Sequence, residues 1–180
     1  YGIIATWRMA LEGISEAADM LKKSADAGDS IETAIRAVED FEFYKSVGYG
    51  GLPNEEMEVE LDAAFMDGDT LDVGCVGAIP VSIARMLSKE PVNNFLVGAG
   101  AEKYAHRHGF ERKNMLTERA KIHYHNRVKE TTENTELKPY SGHDTVGMVC
   151  LDDKGHMTAA TSTSGLFMKK RGRIGDSALS

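Results

Sequence analysis

Gly142-His143-Asp144-Thr145-Val146-Gly147-Met148-Val149-Cys150-Leu151 is the stretch on which the fold turns. The polar, aperiodic segment 131–142 before it reads as an exposed loop, and it ends abruptly where the apolar run 145–151 begins. Asp152-Asp153-Lys154-Gly155 supplies a turn, and 156–163 alternates polar with apolar, so the whole reads as a β-hairpin. A second hairpin lies upstream: 59–66 and 71–79 are strand-like and are joined by Asp67-Gly68-Asp69-Thr70, where Asp-Gly is a strong hairpin signal. Helical spacing marks 11–25, with Ile14, Ala17, Ala18 and Leu21 on one face. Gly28-Asp29 breaks that helix, and Asp29 with Glu32 forms a capping box for a second helix through Val38. Two amphipathic helices in succession suit one face of a sheet. A short strand at 2–7, a helix at 82–89, a strand at 95–97 and helices at 101–107 and 117–130 complete the pattern. Helices and hairpins in alternation predict an α+β layered sandwich without internal repeats.

At 180 residues the chain predicts one domain with a sizeable core, and its 42% hydrophobic and 27% charged residues are ordinary for a globular protein. A net charge of -7 argues against nucleic acid, whose phosphates require a basic face. No run is long enough to span a membrane, and residues 1–7 carry no basic segment followed by an apolar core. The cytoplasm is therefore the default compartment, with periplasm and lysosome as alternatives. The chain does not begin with Met, which suits a processed or engineered start. Cys75 and Cys150 each sit in an apolar run and are expected in the core.

Three patterns suggest chemistry and fail on inspection. Gly98-Ala99-Gly100 follows a strand and precedes a helix, but Lys103 stands where a dinucleotide turn needs its third glycine, and no βαβ unit surrounds it. Asp62, Asp67, Asp69 and Asp72 resemble a calcium-loop fragment, yet Leu71 occupies a ligand position and no closing glutamate follows. His106/His108 and His123/His125 lie two residues apart on helices, so each pair points to opposite faces. Neither a metal nor a cofactor is expected.

Thr145 is different, because it stands where the loop meets the strand. A threonine hydroxyl is a poor nucleophile without an adjacent base, and a free α-amino group on the same residue can be that base. Its reference pKa of about 7.7–8.0 leaves an appreciable neutral fraction at physiological pH. That amine comes free only if the Asp144–Thr145 bond is cut. The four residues alone favour the plainer reading, in which Asp144 caps a turn and Thr145 opens a strand. Downstream, Thr161-Ser162-Thr163-Ser164-Gly165 brings a second hydroxyl beside Thr145 across the hairpin. Gly172-Arg173-Ile174-Gly175-Asp176-Ser177 offers a guanidinium and a carboxylate three residues apart, matching the two charges of an amino-acid head group or, equally, a surface ion pair. The neighbouring Lys169-Lys170-Arg171 reads as a solvated basic run.

Ala5-Thr6-Trp7, Ser46-Val47-Gly48-Tyr49-Gly50-Gly51, Leu61-Asp62-Ala63, Met66-Asp67-Gly68, His143-Asp144-Thr145-Val146-Gly147-Met148, Thr161-Ser162-Thr163-Ser164-Gly165 and Gly172-Arg173-Ile174-Gly175-Asp176-Ser177 carry a joint resemblance. In order and spacing they resemble the glycosylasparaginases (aspartylglucosaminidases), within the N-terminal-nucleophile hydrolases and the wider plant-type asparaginase group. The resemblance implies a four-layer αββα sandwich, with 1–144 as an α-subunit region and 145–180 as the start of a β-subunit region of one domain. It implies self-cleavage between Asp144 and Thr145, with Thr145 as catalytic nucleophile and its own amine as base. Thr163 would tune the nucleophile's hydroxyl. Arg173 and Asp176 would hold the substrate's α-carboxylate and α-amino group, and Trp7 and Ser46 would line the site. The implied reaction is hydrolysis of the GlcNAc-Asn amide through an aspartyl-enzyme ester, by a dimer of α/β pairs and without a cofactor.

Two departures qualify that expectation. Between Gly77 and Val81 the sequence is shorter than the family usually is, and it stops at Ser180 before a Thr-Gly pair that supplies the family's oxyanion hole. Loss of one oxyanion donor costs about 100-fold to 1,000-fold in turnover, so a 180-residue chain alone is expected to be feeble. The alternatives are an L-asparaginase or isoaspartyl peptidase, and an inactive fragment that serves as a binding or dimerising module.

Overall fold

The computed structural model describes residues 1–133 and 145–179. Among them, β1 (Gly2–Ala5), β2 (Asp62–Asp67), β3 (Val73–Gly77), β4 (Phe95–Leu96), β5 (Val146–Leu151) and β6 (Met157–Thr163) form one sheet in the order β1-β5-β6-β2-β3-β4. Every neighbouring pair is antiparallel except β3 and β4, which run parallel. The helices are α1 (Leu11–Leu21), α2 (Ala27–Glu39), α3 (Val81–Ser88), α4 (Gly98–Arg107) and α5 (Glu118–Glu133). The fold is thus a mixed α/β layer.

Strand alternation decides which face is covered. Val146, Met148 and Cys150 of β5 and Ala160 of β6 join Ala17 and Leu21 of α1, Ile31, Ile35 and Val38 of α2, and Ile83 and Leu87 of α3 in one buried cluster. Full burial of an aliphatic side chain of this size contributes about 1.5–3 kcal/mol, so this shared face carries the stability. On the other face the β1–β5–β6 part of the sheet is open, with Ile4 77% exposed and Val149 and Met157 exposed too, whereas Asp62 and Ala64 of β2 are buried. The described residues therefore supply one sheet and one helical layer of the four layers expected.

Several local expectations shift. α2 begins three residues earlier than the proposed Asp29–Glu32 box implies: Asp26 is the N-cap, its carboxylate accepting from Gly28 N and Asp29 N. Asp29 and Glu32 instead hold the Arg85 guanidinium, at 2.7 and 2.8 Å. Gly28 lies inside α2, and the break between helices falls at 22–26, with Ser24 at φ 60°. The β2–β3 hairpin forms, but through a longer loop than Asp-Gly implies. Asp67 accepts from Asp69 N and Thr70 N, and Leu71, not Gly68, takes the left-handed conformation. β3, α3 and β4 make a parallel crossover that the sequence reading missed, with Gly98 opening α4 directly after β4. Finally, Lys169 is not part of a solvated run but is buried at 6% exposure.

Candidate active site

The register gathers the ends of five strands on one edge of the sheet. Ala5 pairs with Met148, Val146 with Ser162, Thr163 with Asp62, and Asp62 with Gly77. Thr145 stands one residue before β5 at this edge, half-buried. Its carbonyl accepts from Thr6 Oγ1 at 3.0 Å, and Thr6 Oγ1 in turn accepts from Gly147 N at 2.9 Å. Its hydroxyl lies 2.8 Å from Ser177 Oγ. Ser177 is 7% exposed and belongs to the 3-10 turn Asp176–Ala178, where its carbonyl accepts from Thr161 Oγ1.

Thr163 lies on the same strand edge, with its hydroxyl otherwise engaged. It donates to Ser46 O at 3.4 Å and accepts from Gly165 N at 3.0 Å. Ser46 thereby docks on the end of β6, reinforced by Ser164 N donating to Ser46 O at 2.7 Å. Behind it the turn 46–51 wraps onto α2: Tyr49 N donates to Glu39 O, and Gly48 and Gly50 have φ of 72° and 81°. Trp7 sits at the exit of β1 at φ 63°, a conformation that is strained for a side chain of this size, and is 52% exposed. Arg173 and Asp176 are both exposed beside the edge, and among the described residues they do not pair with each other.

Their loop is held from beneath. Gly172 N donates to Glu60 at 3.0 and 3.3 Å, and Gly175 N donates to Asp62 Oδ2 at 2.9 Å. Lys169 Nζ lies 3.8 Å from both Glu60 Oε2 and Asp62 Oδ1. Burial raises the Asp62 pKa, against the opposing pull of the Gly175 N–H and the charges of Lys169 and Arg173. The sequence reading thus found the loop and overlooked what positions it. Thr6 and Ser177 carry no local signal of their own, although they lie inside the Ala5-Thr6-Trp7 and Gly172–Ser177 stretches.

The remaining sequence features resolve simply. Asp144, the other half of the cleavage pair, and His143 lie outside the described residues. Cys75 and Cys150 are buried free thiols, and burial pushes Cys150 up to about 11. Asp26, Asp152 and His156 place ligand-type atoms within 4.8 Å of one another at the far end of β6. Both carboxylates already act as caps: Asp152 accepts from Ala27 N, Lys154 N and His156 N, and Asp26 from the start of α2.

The asparaginase family profile matches residues 4–180, which include every strand end at this edge. The chain belongs to the asparaginase family. Among curated relatives in the asparaginase family, it is 36% identical over 183 residues to an N(4)-(Beta-N-acetylglucosaminyl)-L-asparaginase of Elizabethkingia miricola, covering 97% of this chain and 52% of the relative. It is 38% identical over 180 residues to an isoaspartyl peptidase/L-asparaginase of Rattus norvegicus, covering 92% and 53%. It is 34% identical over 171 residues to a plant-type L-asparaginase of Thermococcus kodakarensis, covering 86% and 55%. The chain spans about half the length of these curated relatives.

Proposed function

We propose that this chain is the nucleophile-bearing part of an amidohydrolase acting on asparagine-type side-chain amides, with Thr145 as its nucleophile. The observation that carries the reading is the position of Thr145. Its hydroxyl is held at a sheet edge that also gathers Trp7, Ser46, Thr163 and the Arg173–Asp176 loop. In this reading the Thr145 hydroxyl first attacks the Asp144 carbonyl. The proton passes to the departing Thr145 nitrogen, so breaking the C–N bond frees the amine and leaves an ester, which water then hydrolyses to the Asp144 carboxylate and the free Thr145 hydroxyl. The same hydroxyl then attacks the substrate amide, with the amine as base, and an aspartyl ester forms and is hydrolysed. Arg173 and Asp176, exposed and not paired with each other, suit the α-carboxylate and α-ammonium of an amino-acid substrate. The open apolar face of Ile4, Val149 and Met157 suits a second sheet, which would complete a four-layer sandwich.

The intact mass of the purified polypeptide tests the first step. The parent is expected to yield two pieces ending at Asp144 and starting at Thr145, and Thr145→Ala is expected to stay whole and to lose amide hydrolysis. A Thr145→Ala chain that still cuts at this bond would sink the assignment.

GlcNAc-Asn is the proposed substrate, supported by the near-complete coverage of this chain by the GlcNAc-asparaginase relative. The second reading, an asparaginase or isoaspartyl peptidase, has support in relatives of 38% and 34% identity. Parallel assays with GlcNAc-Asn and β-aspartyl dipeptides decide between them: faster turnover of GlcNAc-Asn is expected, and faster turnover of the dipeptides reverses the choice.

A further inference from the structure

We propose that Ser177 is the hydroxyl that orients the Thr145 nucleophile before its amine exists. The inference rests on the nucleophile reading above and deepens it. In the uncut chain the Thr145 nitrogen is a peptide N–H, whose lone pair is delocalised into the carbonyl, so it cannot hold or activate the hydroxyl. Some other group must select the hydroxyl's direction.

Threonine offers two χ1 wells of similar energy in many settings, because its hydroxyl and methyl exchange places at modest cost. In this structure the choice is made by Ser177 Oγ at 2.8 Å, a normal distance for an O–H···O bond. Thr163, the hydroxyl to which the family resemblance gave the tuning role, instead accepts from Gly165 N at 3.0 Å and faces Ser46 O at 3.4 Å.

Ser177 can do this because it is itself fixed. It lies in a single 3-10 turn, its carbonyl is held by Thr161 Oγ1, and the following Ala178 is fully buried. Thr161 pairs with Gly147 across the hairpin, two residues from Thr145, so the same pair of strands that places the nucleophile also places its partner. Thr6 fixes the Thr145 backbone through its carbonyl while Ser177 fixes the side chain. Asp176, the proposed ammonium contact, is the adjacent residue, so recognition and nucleophile orientation share one short turn.

The test compares the parent chain with Ser177→Ala and Ser177→Thr. Where the parent cuts itself, intact mass followed over time gives the rate. Loss of one oriented hydrogen bond at the reacting oxygen is expected to slow Ser177→Ala by about tenfold or more, with Ser177→Thr recovering most of the rate. A Ser177→Ala rate within about twofold of the parent overturns the proposal.

Where the parent stays whole, the three-bond N–Cγ2 and C′–Cγ2 couplings of Thr145 give its χ1 by NMR. One rotamer is expected in the parent and in Ser177→Thr, and averaged couplings in Ser177→Ala; unchanged couplings in Ser177→Ala overturn the proposal. The rotamer result stands even if Thr145→Ala still cuts, so failure of the nucleophile reading and failure of the Ser177 role are seen separately.

Discussion

Gly48→Ala is expected to cost more than about 4 kcal/mol and to leave little folded protein, given total stabilities of about 5–15 kcal/mol for domains. Two effects combine. Gly48 sits at φ 72°, where a Cβ costs roughly 1–2 kcal/mol through its clash with the residue's own carbonyl. The added Cβ would also meet the α2 backbone, 2.0 Å from Glu39 O and 2.4 Å from Glu39 Cα. Backbone at a helix end cannot swing aside as a flexible side chain can. Gly155→Ala separates the two effects: Gly155 has φ 89°, but nothing lies within 4 Å of the new Cβ. It is expected to lose only about 1–2 kcal/mol. Urea unfolding of the three proteins measures both costs, and equal losses at positions 48 and 155 would rule out the contact with Glu39.

Glu39→Gln is expected to remove most of the pH dependence of stability between about pH 5 and pH 8. The Glu39 side chain is fully buried between α2, α3 and β6, and its Oε1 accepts from Val81 N at 3.0 Å and from Ser162 Oγ at 2.6 Å. Burial raises its pKa to about 7, and the two donors only partly oppose that shift. The folded state thus holds a proton that the unfolded chain releases nearer pH 4.5. The contribution to stability is full below the unfolded value and is lost as pH rises through about 7. A shift of this size corresponds to something on the order of 3 kcal/mol. Glutamine keeps an oxygen for both donors and cannot ionise. Urea unfolding at about pH 5 and pH 8 should show the parent weakening against the variant by that order. Parallel losses in both proteins would mean that another group carries the pH response.

What the sequence made legible follows from periodicity. β5 was readable as an apolar run ended by a turn, β6 because polar and apolar residues alternate along it, and α1 and α2 because Ala17, Leu21, Ile31 and Ile35 repeat at helical spacing. The β3–β4 crossover was hidden although its helix and both strands were readable, because periodicity locates elements and does not say which strands pair or in which direction. Lys169 was misread because no local signal announces a buried cation; its partners Glu60 and Asp62 are more than 100 positions away. Ser177 escaped for a similar reason. Sequence order points to Thr163, directly across the hairpin, whereas the 3-10 turn that delivers Ser177 is set by contacts of residues 172–175 with Glu60 and Asp62. Its place beside Asp176, inside a motif already singled out, was the signal available.

The strand order carries one last consequence. Reading across the sheet, β1 comes from before the Asp144–Thr145 bond, β5 and β6 from after it, and β2, β3 and β4 from before it again. A cut at that bond would therefore leave the newer piece clasped on both flanks by the older one, with hydrogen-bonded ladders on either side. The new chain start would be born already seated. Separating the halves would require tearing the sheet along two seams, so they should part only when the protein unfolds.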